Sequence, residues 1–396
     1  MYQRAKPGKV VVAMSGGVDS SVAALLLQRE GYEVVGVTMK LYSLDESALP
    51  ADHQGCCTLD DVEDARAVCR KLGISHYVLN MEREFRSHVM DYFVSEYQSG
   101  RTPHPCIACN DKIKFSHLMG RADILNADFV ATGHYAQIDR TPEGFVLRKA
   151  VDHGKDQSYV LFGMNQEQLA RTLMPVGAYP KEEIRRLALE AQLVTADKPD
   201  SQDICFVPLG DYKTFLREQT STVAGEIVDL EGSVLGHHEG IEFYTIGQRR
   251  GLGISQGEPR YVVRLEPAAN RVVVGPEAAL YSTEMWVSGV NFINGRGRAL
   301  EEPTAVGVKI RYKSYEAAAE LYPCGDQARG GRSHGDQALV RFREPQRSVT
   351  PGQAAVFYQG DVLLGGGTIE TSEQPAGKPA NERAEAQSSE RSPAVV

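Results

Sequence analysis

The stretch from Val10 to Leu27 limits what this chain can fold into more than any other. Val10, Val11, Val12 and Ala13 are four consecutive apolar residues, the pattern of a parallel strand covered on both faces. Ser15, Gly16 and Gly17 make a tight turn, where glycine permits positive φ and close approach of a ligand to the backbone. Asp19, Ser20 and Ser21 open an apolar helix, their side-chain oxygens placed to cap its first amides. A helix start behind a glycine turn is a ready anion site. The stretch therefore reads as a phosphate cradle. It lacks the lysine-ending spacing of a Walker loop.

The remainder of the N-terminal half repeats the alternation. Gly31 to Lys40 reads as a turn and second strand, Leu59 to Leu72 as a helix with Leu59, Val62, Ala65 and Val68 on one face. Ser75 to Asn80 reads as a third strand, Phe85 to Tyr97 as a helix and Phe129 to Ala136 as a fourth strand. Strand, helix, strand at this spacing means βαβ units and a doubly wound parallel sheet. Ligands lie at the carboxyl ends of such strands, which leaves Met39 either against a nucleotide base or in the core. Gly144 to Lys149 is a further strand; Gln166 to Leu173 and Lys181 to Ala191 are helices.

Beyond Phe215 the helical period fades. Glu226–Asp229, Ile241–Tyr244, Arg260–Leu265 and Arg271–Val274 read as short strands of a small β-rich region. Further on, Val306 to Lys313 alternates, with Val306, Val308, Ile310 and Tyr312 on one face and Lys309, Arg311 and Lys313 on the other. Arg341 and Arg343 on a candidate neighbouring strand extend that basic face toward phosphate-backbone contact. The expected organisation is a catalytic domain at 1–214, a connector at 215–284, an antiparallel β-barrel-like domain at 285–370 and a disordered tail at 371–396.

Composition removes some classes. At 396 residues the chain suits two or three domains. No apolar run approaches the ~20 residues of a membrane helix, and the short basic N-terminus is no signal peptide; a cytoplasmic protein without a membrane partner is expected. The net charge of −9 argues against nucleic-acid binding taken whole, yet a local basic face can act within an acidic chain. Seven cysteines point to reactive or metal-binding thiols rather than a disulfide framework. Cys106 and Cys109 form a Cys-x-x-Cys pair, open at this level to redox, zinc or iron–sulfur roles. The helix expected from Asn110 or Asp111 onward puts Cys109 at a helix N-terminus, near Lys112 and Lys114, where thiolate is favoured. Cys69 reads as buried filler, and adjacent Cys56 and Cys57 as packing.

The segment Ser15 to Ser20 resembles the pyrophosphate loop of the ATP pyrophosphatases, the PP-loop enzymes. With Thr102-Pro103-x-Pro105-x-x-x-Cys109-Asn110, Lys155-Asp156-Gln157-Ser158, Asp200-Ser201-Gln202-Asp203-x-Cys205-Phe206 and Gly247-Gln248-Arg249, it is similar to the tRNA-specific 2-thiouridylase family over residues 9 to 370. That resemblance implies an enzyme, a tRNA-uridine 2-sulfurtransferase. ATP bound by Ala13, Met14, Ser15, Gly16, Gly17, Val18, Asp19 and Ser20, with Met39 and Gly133, would adenylate the C2 oxygen of the wobble uridine (position 34), with Mg²⁺ on the phosphates. Sulfur from a Cys205 persulfide would replace that oxygen, giving 2-thiouridine, AMP and pyrophosphate. Cys109 would close a disulfide with Cys205 as the sulfur leaves.

The resemblance also implies tRNA contacts at His104, Pro105 and Cys106 beside the target base, and at His134, Lys155, Asp156, Gln157, Arg311, Tyr312 and Gln353. Partners would be tRNA acceptors for Lys, Glu and Gln, and a cysteine desulfurase or sulfur-relay protein. At Cys106 the chain departs from the well-studied members of the family, which carry Asp there as a proposed acid/base, while other members carry a third cysteine. A second reading of that departure has Cys106, Cys109 and Cys205 ligating three irons of a [4Fe–4S] cluster. Two rival classes remain: another PP-loop synthetase adenylating a carboxylate, and a tRNA or iron–sulfur binder without catalysis.

Overall fold

The computed structural model describes residues 7–42, 59–200, 204–207, 211–254, 258–293, 302–323 and 337–370. The expectations for Cys56, Cys57, Ser201–Asp203 and the tail lie outside the described residues.

Four β-branched or small residues in a row do form the buried centre of a sheet. Strand β1 (Lys9–Ala13) lies between β2 (Glu33–Lys40) and β4 (Phe129–Ala131), with β3 (Ser75–Asn80) beyond β2. All these pairings are parallel, and Val10, Val11 and Val12 are wholly buried. Helix α1 (Val18–Arg29) follows β1 and α2 (Leu59–Leu72) precedes β3, which covers the sheet as alternation required. The expected fourth strand, Phe129 to Ala136, is broken. It leaves the sheet after Ala131, and Ala136 begins a hairpin of β5 (Ala136–Thr141) and β6 (Gly144–Lys149). The expected helix Gln166 to Leu173 stops at Ala170, because Thr172 and Leu173 form a two-residue strand β7 that pairs with Val130 and Ala131 at the sheet edge.

The middle region holds β8 (Gly225–Val228), β9 (Val234–His238), β10 (Tyr261–Glu266) and β11 (Arg271–Gly275) in the order β10-β11-β8-β9. Ile241–Tyr244 is no strand. Ile241, Glu242 and Phe243 are all buried, without the alternation a strand would give, and they form one 3-10 turn closed by the Tyr244 amide on the Ile241 carbonyl at 3.1 Å.

In the C-terminal region, strands β12 (Tyr281–Phe292), β13 (Thr304–Lys309), β14 (Ala317–Pro323), β15 (Ala338–Arg347), β16 (Ala354–Gln359) and β17 (Val362–Ile369) run in the order β12-β15-β14-β13-β16-β17. The β12–β17 pairing closes them into a barrel around Met285, Val308, Leu321, Val340 and Phe357. The β5–β6 hairpin continues this sheet, β6 pairing antiparallel with β17. The expected basic strand face is corrected on two counts. The strand ends at Lys309, since the Ser314 amide and hydroxyl both donate to the Arg311 carbonyl and turn the chain. Arg341 and Arg343 stand on β15, whose neighbours are β12 and β14, not β13. Arg341 ion-pairs with Glu284 and lies over the Tyr322 ring.

Candidate active site

Residues from β1 to α1 build the loop. Gly16 has φ +73°, and a Cβ there would stand 2.3 Å from the Asp61 carbonyl oxygen, so glycine is required. Gly17 is the N-cap of α1, and no side chain caps the helix. The expected serine cap is absent: Ser20 and Ser21 instead donate to the Gly17 carbonyl at 3.1 and 2.8 Å, while the Ser15 amide donates to the Ser20 hydroxyl. The first amides of a twelve-residue helix thus carry no side-chain oxygen, the arrangement that receives an anion. Ala13, Met14, Val18 and Ser20 are packed beneath or beside the loop; Met14, Val18 and Ser20 are buried. Gly133 lies directly against it. A Cβ at Gly133 would be 2.7 Å from the Ser20 amide nitrogen and 3.1 Å from the Asp19 Cβ. Met39 is buried in the core at the carboxyl end of β2.

Asp19 opens an ionic network. The Lys181 ammonium lies 2.7 and 2.8 Å from its two oxygens and 2.8 Å from Asp200. Tyr135 donates to Asp19 at 2.8 Å, and Lys155 and Arg185 donate to Asp200 at 2.8 and 2.9 Å. Partial burial pushes the Asp200 carboxyl up, but the hydrogen bonds and charge of Lys155 and Lys181 outweigh it and hold it at about 2. Burial and the Asp19 charge drive the Tyr135 hydroxyl far above its usual range. Gln157 and Tyr135 exchange hydrogen bonds: the Gln157 side chain accepts from the Tyr135 amide at 2.9 Å, and its own amide donates to the Tyr135 carbonyl at 2.8 Å.

The cysteines are distributed differently from expectation. The helix begins at Pro105, the natural first helical position for proline. It then widens into π geometry over Cys109–His117, a departure frequent at functional sites. Cys106 is therefore in the first turn and exposed, whereas Cys109 is one turn further in and buried. Asn110 is no cap; its side-chain amide donates to the Val160 carbonyl at 2.9 Å. Asp111 is likewise inside the helix, pushed up by burial against the nearby Lys112 to about 6, one carboxyl oxygen buried without a partner. Cys205 is half-buried, and its carbonyl accepts from the Tyr42 hydroxyl. Among the described residues no group of three or more His, Cys, Asp or Glu side chains is placed to hold a metal. Cys106, Cys109 and Cys205 are among those described residues and form no such group.

Beside the ionic network the residues implied for tRNA gather around Tyr312. Its hydroxyl donates to the Asp156 carbonyl at 3.3 Å, and its ring meets His104 edge-on at 6.4 Å and Tyr159 at 5.9 Å. The Lys309 ammonium lies 5.9 and 6.0 Å from the Tyr159 and Tyr312 ring centres. Burial pushes His104 down to about 4 against a hydrogen bond to its own backbone, so the ring is neutral at pH 7. Burial, Asp156 and the neighbouring Cys106 raise the Tyr312 hydroxyl. Gln353 donates to the Thr102 and Pro103 carbonyls at 2.9 and 3.2 Å, tying the barrel to the segment before His104 and Pro105. Arg311 donates to the Arg347 and Ser348 carbonyls. His134 stands apart from this group: it is buried, hydrogen-bonded to Thr132 at 2.8 Å and packed near Phe115. Sequence reasoning missed Lys181, Tyr135 and Tyr159. Lys181 begins a helix like any solvated lysine, and nothing local marks it; Tyr159 directly follows the Lys155–Ser158 motif.

Three family models cover most of the chain. One described as a tRNA methyl transferase HUP domain matches residues 8–209, a tRNA methyl transferase PRC-barrel domain matches 213–276, and an aminomethyltransferase beta-barrel domain matches 282–369. The chain is 48% identical over 366 residues to the tRNA-specific 2-thiouridylase MnmA of Pelotomaculum thermopropionicum, covering 92% of this chain and 97% of that one. It is 49% identical over 369 residues to the protein of that name from Symbiobacterium thermophilum, with 91% and 92% covered. Against that of Clostridium kluyveri it is 47% identical over 365 residues, with 92% and 99% covered.

Proposed function

The chain belongs to the tRNA-specific 2-thiouridylase family, and on that premise we propose how its own residues divide the work. It is a tRNA-uridine 2-sulfurtransferase of the PP-loop ATP pyrophosphatases and makes 2-thiouridine in tRNA. No helix among the described residues is long and apolar enough to cross a membrane.

ATP lies with its phosphates on the uncapped start of α1, held by Ala13 to Ser20, with Met39 and Gly133 at the nucleotide. The hard-oxygen carboxylate of Asp19 is the group that would hold Mg²⁺, whose chemistry there is to neutralise phosphate charge. The uridine C2 oxygen attacks the α-phosphorus and pyrophosphate leaves, which makes a poor electrophile reactive. The target is the wobble uridine of tRNAs for Lys, Glu and Gln. The base leaves its stack to be reached, and His104, Pro105, Cys106 and Tyr312 receive it, with His134, Lys155, Asp156, Gln157, Arg311 and Gln353 holding the surrounding tRNA. A neutral His104 and aromatic faces suit stacking on an uncharged base.

Cys205 carries the sulfur as a persulfide supplied by a desulfurase or relay protein. The terminal persulfide sulfur attacks C2 and AMP leaves. The Cys109 thiolate then attacks the Cys205 sulfur, closing a disulfide and leaving the transferred sulfur on C2. The two electrons that reduce that sulfur come from the two cysteines, and an external dithiol restores them. No step of this scheme runs through an iron–sulfur cluster.

The observation that carries this reading is the ionic bridge from Asp19 in the loop through Lys181 to Asp200, five residues before Cys205. It ties the loop to Asp200, and this supports a shared site with Cys205 five residues on. The test is 2-thiouridine formation on unmodified tRNA with ATP, Mg²⁺ and a persulfide donor, in iron-free protein. Wild type should release pyrophosphate and thiolate. Cys205→Ser should release pyrophosphate without thiolating. Thiolation by Cys205→Ser, or thiolation that tracks iron, removes the persulfide scheme.

A further inference from the structure

The chemistry of thiolation makes no use of the Gly247-Gln248-Arg249 motif, yet its turn is firmly held. Gly247, Gly251 and Gly253 have φ of +88°, +73° and +68°, which glycine adopts without strain. The Gln248 side chain braces the turn from both sides, accepting from the Thr245 amide at 3.2 Å and donating to the Arg250 carbonyl at 3.0 Å. Two main-chain bonds pin it to β10: the Gly247 amide donates to the Val262 carbonyl at 2.8 Å, and the Val262 amide to the Gln248 carbonyl at 2.9 Å. Leu252 is buried behind it. Arg249 and Arg250 are exposed, and among the described residues neither has a carboxylate partner. Arg249 also lines, with Arg260, a cavity of about 260 Å³ whose described lining has Glu258 as its one acid.

The turn adjoins the group around Tyr312. A Cβ at Gly247 would stand 2.6 Å from the Ser348 hydroxyl oxygen. The Arg347 and Ser348 carbonyls accept from Arg311 at 2.7 and 2.9 Å, and Arg311 directly precedes Tyr312. The Arg347 guanidinium lies 5.4 Å from the centre of the Tyr261 ring, at the start of β10. We propose that Arg249 and Arg250 bind the phosphate backbone of the tRNA and so carry its binding surface from the barrel onto the middle region. The proposal rests on the reading of Arg311 and Tyr312 as tRNA contacts. A chain of net charge −9 repels a polyanion as a whole, so contact has to come from cations that no carboxylate already neutralises. Arg341 and Arg347 of the barrel are paired with Glu284 and Glu277. Arg249 and Arg250 are two adjacent guanidiniums, each able to fork onto phosphate oxygens. A turn already fixed by Gln248 loses little freedom when they do. Phosphate contacts set where a nucleic acid lies and carry no sequence information. The arginines therefore position the RNA, while the rings around Tyr312 receive the base.

The experiment measures binding of unmodified tRNA to the full chain by fluorescence anisotropy, at salt from about 50 to 200 mM. Each phosphate contact contributes about 0.7–0.9 to the slope of log affinity against log salt. The double variant Arg249→Gln, Arg250→Gln should lower that slope by about 1.4–1.8, so the affinity it loses across this range should be roughly tenfold smaller than in wild type. Replacing both by Lys should keep most of the slope, and Arg341→Gln should keep all of it. The Gln double variant should melt as wild type does and bind ATP with wild-type affinity by calorimetry. If it does not fold, the single variants Arg249→Gln and Arg250→Gln carry the test, each lowering the slope by about 0.7–0.9. A wild-type slope in these variants overturns the proposal. Weakened ATP binding would make the nucleotide the phosphate bound and overturn it too. If thiolation from a protein persulfide donor falls while tRNA binding keeps its wild-type slope, the arginines serve a protein partner and the proposal is equally wrong. If the wild-type chain binds no tRNA at any salt concentration, the functional reading beneath the proposal fails with it.

Discussion

The two halves of the candidate site are built in opposite ways. The half around Asp19 is ionic: one ammonium, two carboxylates and a tyrosine hydroxyl, with further cations behind. The half around Tyr312 is aromatic and largely neutral, assembled from His104, Tyr159 and Tyr312 with Lys309 over the rings. The first suits phosphate and metal, the second a flat uncharged base. The ionic half starts from a loop whose residues are consecutive, so the loop's own geometry is local, while Tyr135, Lys181 and Asp200 reach it from more than a hundred residues away. The aromatic half joins three segments more than a hundred residues apart at the extremes, so its geometry exists only once the barrel has docked.

The sharpest way to break this contrast is Gly133→Ala. The added Cβ meets backbone at 2.7 Å beneath the ionic half. Displacing a loop by such an amount should lower tRNA-dependent pyrophosphate release by about 100-fold, measured by a coupled phosphate assay, with an overpacking cost to stability of about 1–3 kcal/mol. Near-normal release would mean that the loop is not held in place from below.

Acid should separate the halves next. Burial lowers His104 from 6.5 to about 4, so its folded form prefers the neutral ring. The stability this gives is present above 6.5 and is lost as pH falls from 6.5 toward 4. Asp200, held at about 2, loses its contribution only below its unfolded value of 3.8. Melting curves between pH 7 and 4 should therefore show a loss of about 3 kcal/mol that His104→Phe removes and Asp200→Asn does not.

Tyr312→Ala should raise the KM for tRNA about tenfold, the value of one base stack, with the KM for ATP unchanged. Tyr312→Phe keeps the ring and forfeits only the 3.3 Å bond to Asp156, so its effect should be much smaller. Equal effects would mean that the hydroxyl, not the face, matters. The smallest change is expected at Arg341→Ala. That side chain is exposed and paired with Glu284, and its loss should alter stability by less than about 0.5 kcal/mol and tRNA affinity not measurably.

The same contrast explains what could be read in advance. The β1–loop–α1 unit, the parallel pairing of the sheet and the helix at Leu59–Leu72 follow from contiguous patterns, and the sequence shows them. Period-two alternation from Val306 to Lys313 is equally clean, yet the strand stops at Lys309. The alternation persists in burial through Ile310, but hydrogen bonding of Ser314 to Arg311 turns the chain, and the Tyr312 hydroxyl donates to the Asp156 carbonyl. Ile241–Tyr244 reads as a short strand in the sequence, whereas Ile241, Glu242 and Phe243 are all buried in a single turn. The helix start expected at Asn110 or Asp111 comes earlier in the structure, because Pro105 takes a first helical position and begins the helix there. Lys181 was invisible because an ion pair across 162 residues leaves no local trace.

The β5–β6 hairpin gives the molecule a modularity that its chain order hides. It is encoded inside the nucleotide-binding segment, yet Leu147 and Arg148 lie in register with Leu363 and Val362 of the barrel, and the Lys149 amide donates to the Asp361 carbonyl at 2.9 Å. The exchangeable unit is therefore discontinuous: a barrel transplanted from a relative must bring residues 136–149 with it. A truncation before β12 would leave the open edge of β6 as an unpaired template for other chains, so the shortened protein should aggregate even though its parallel sheet is complete.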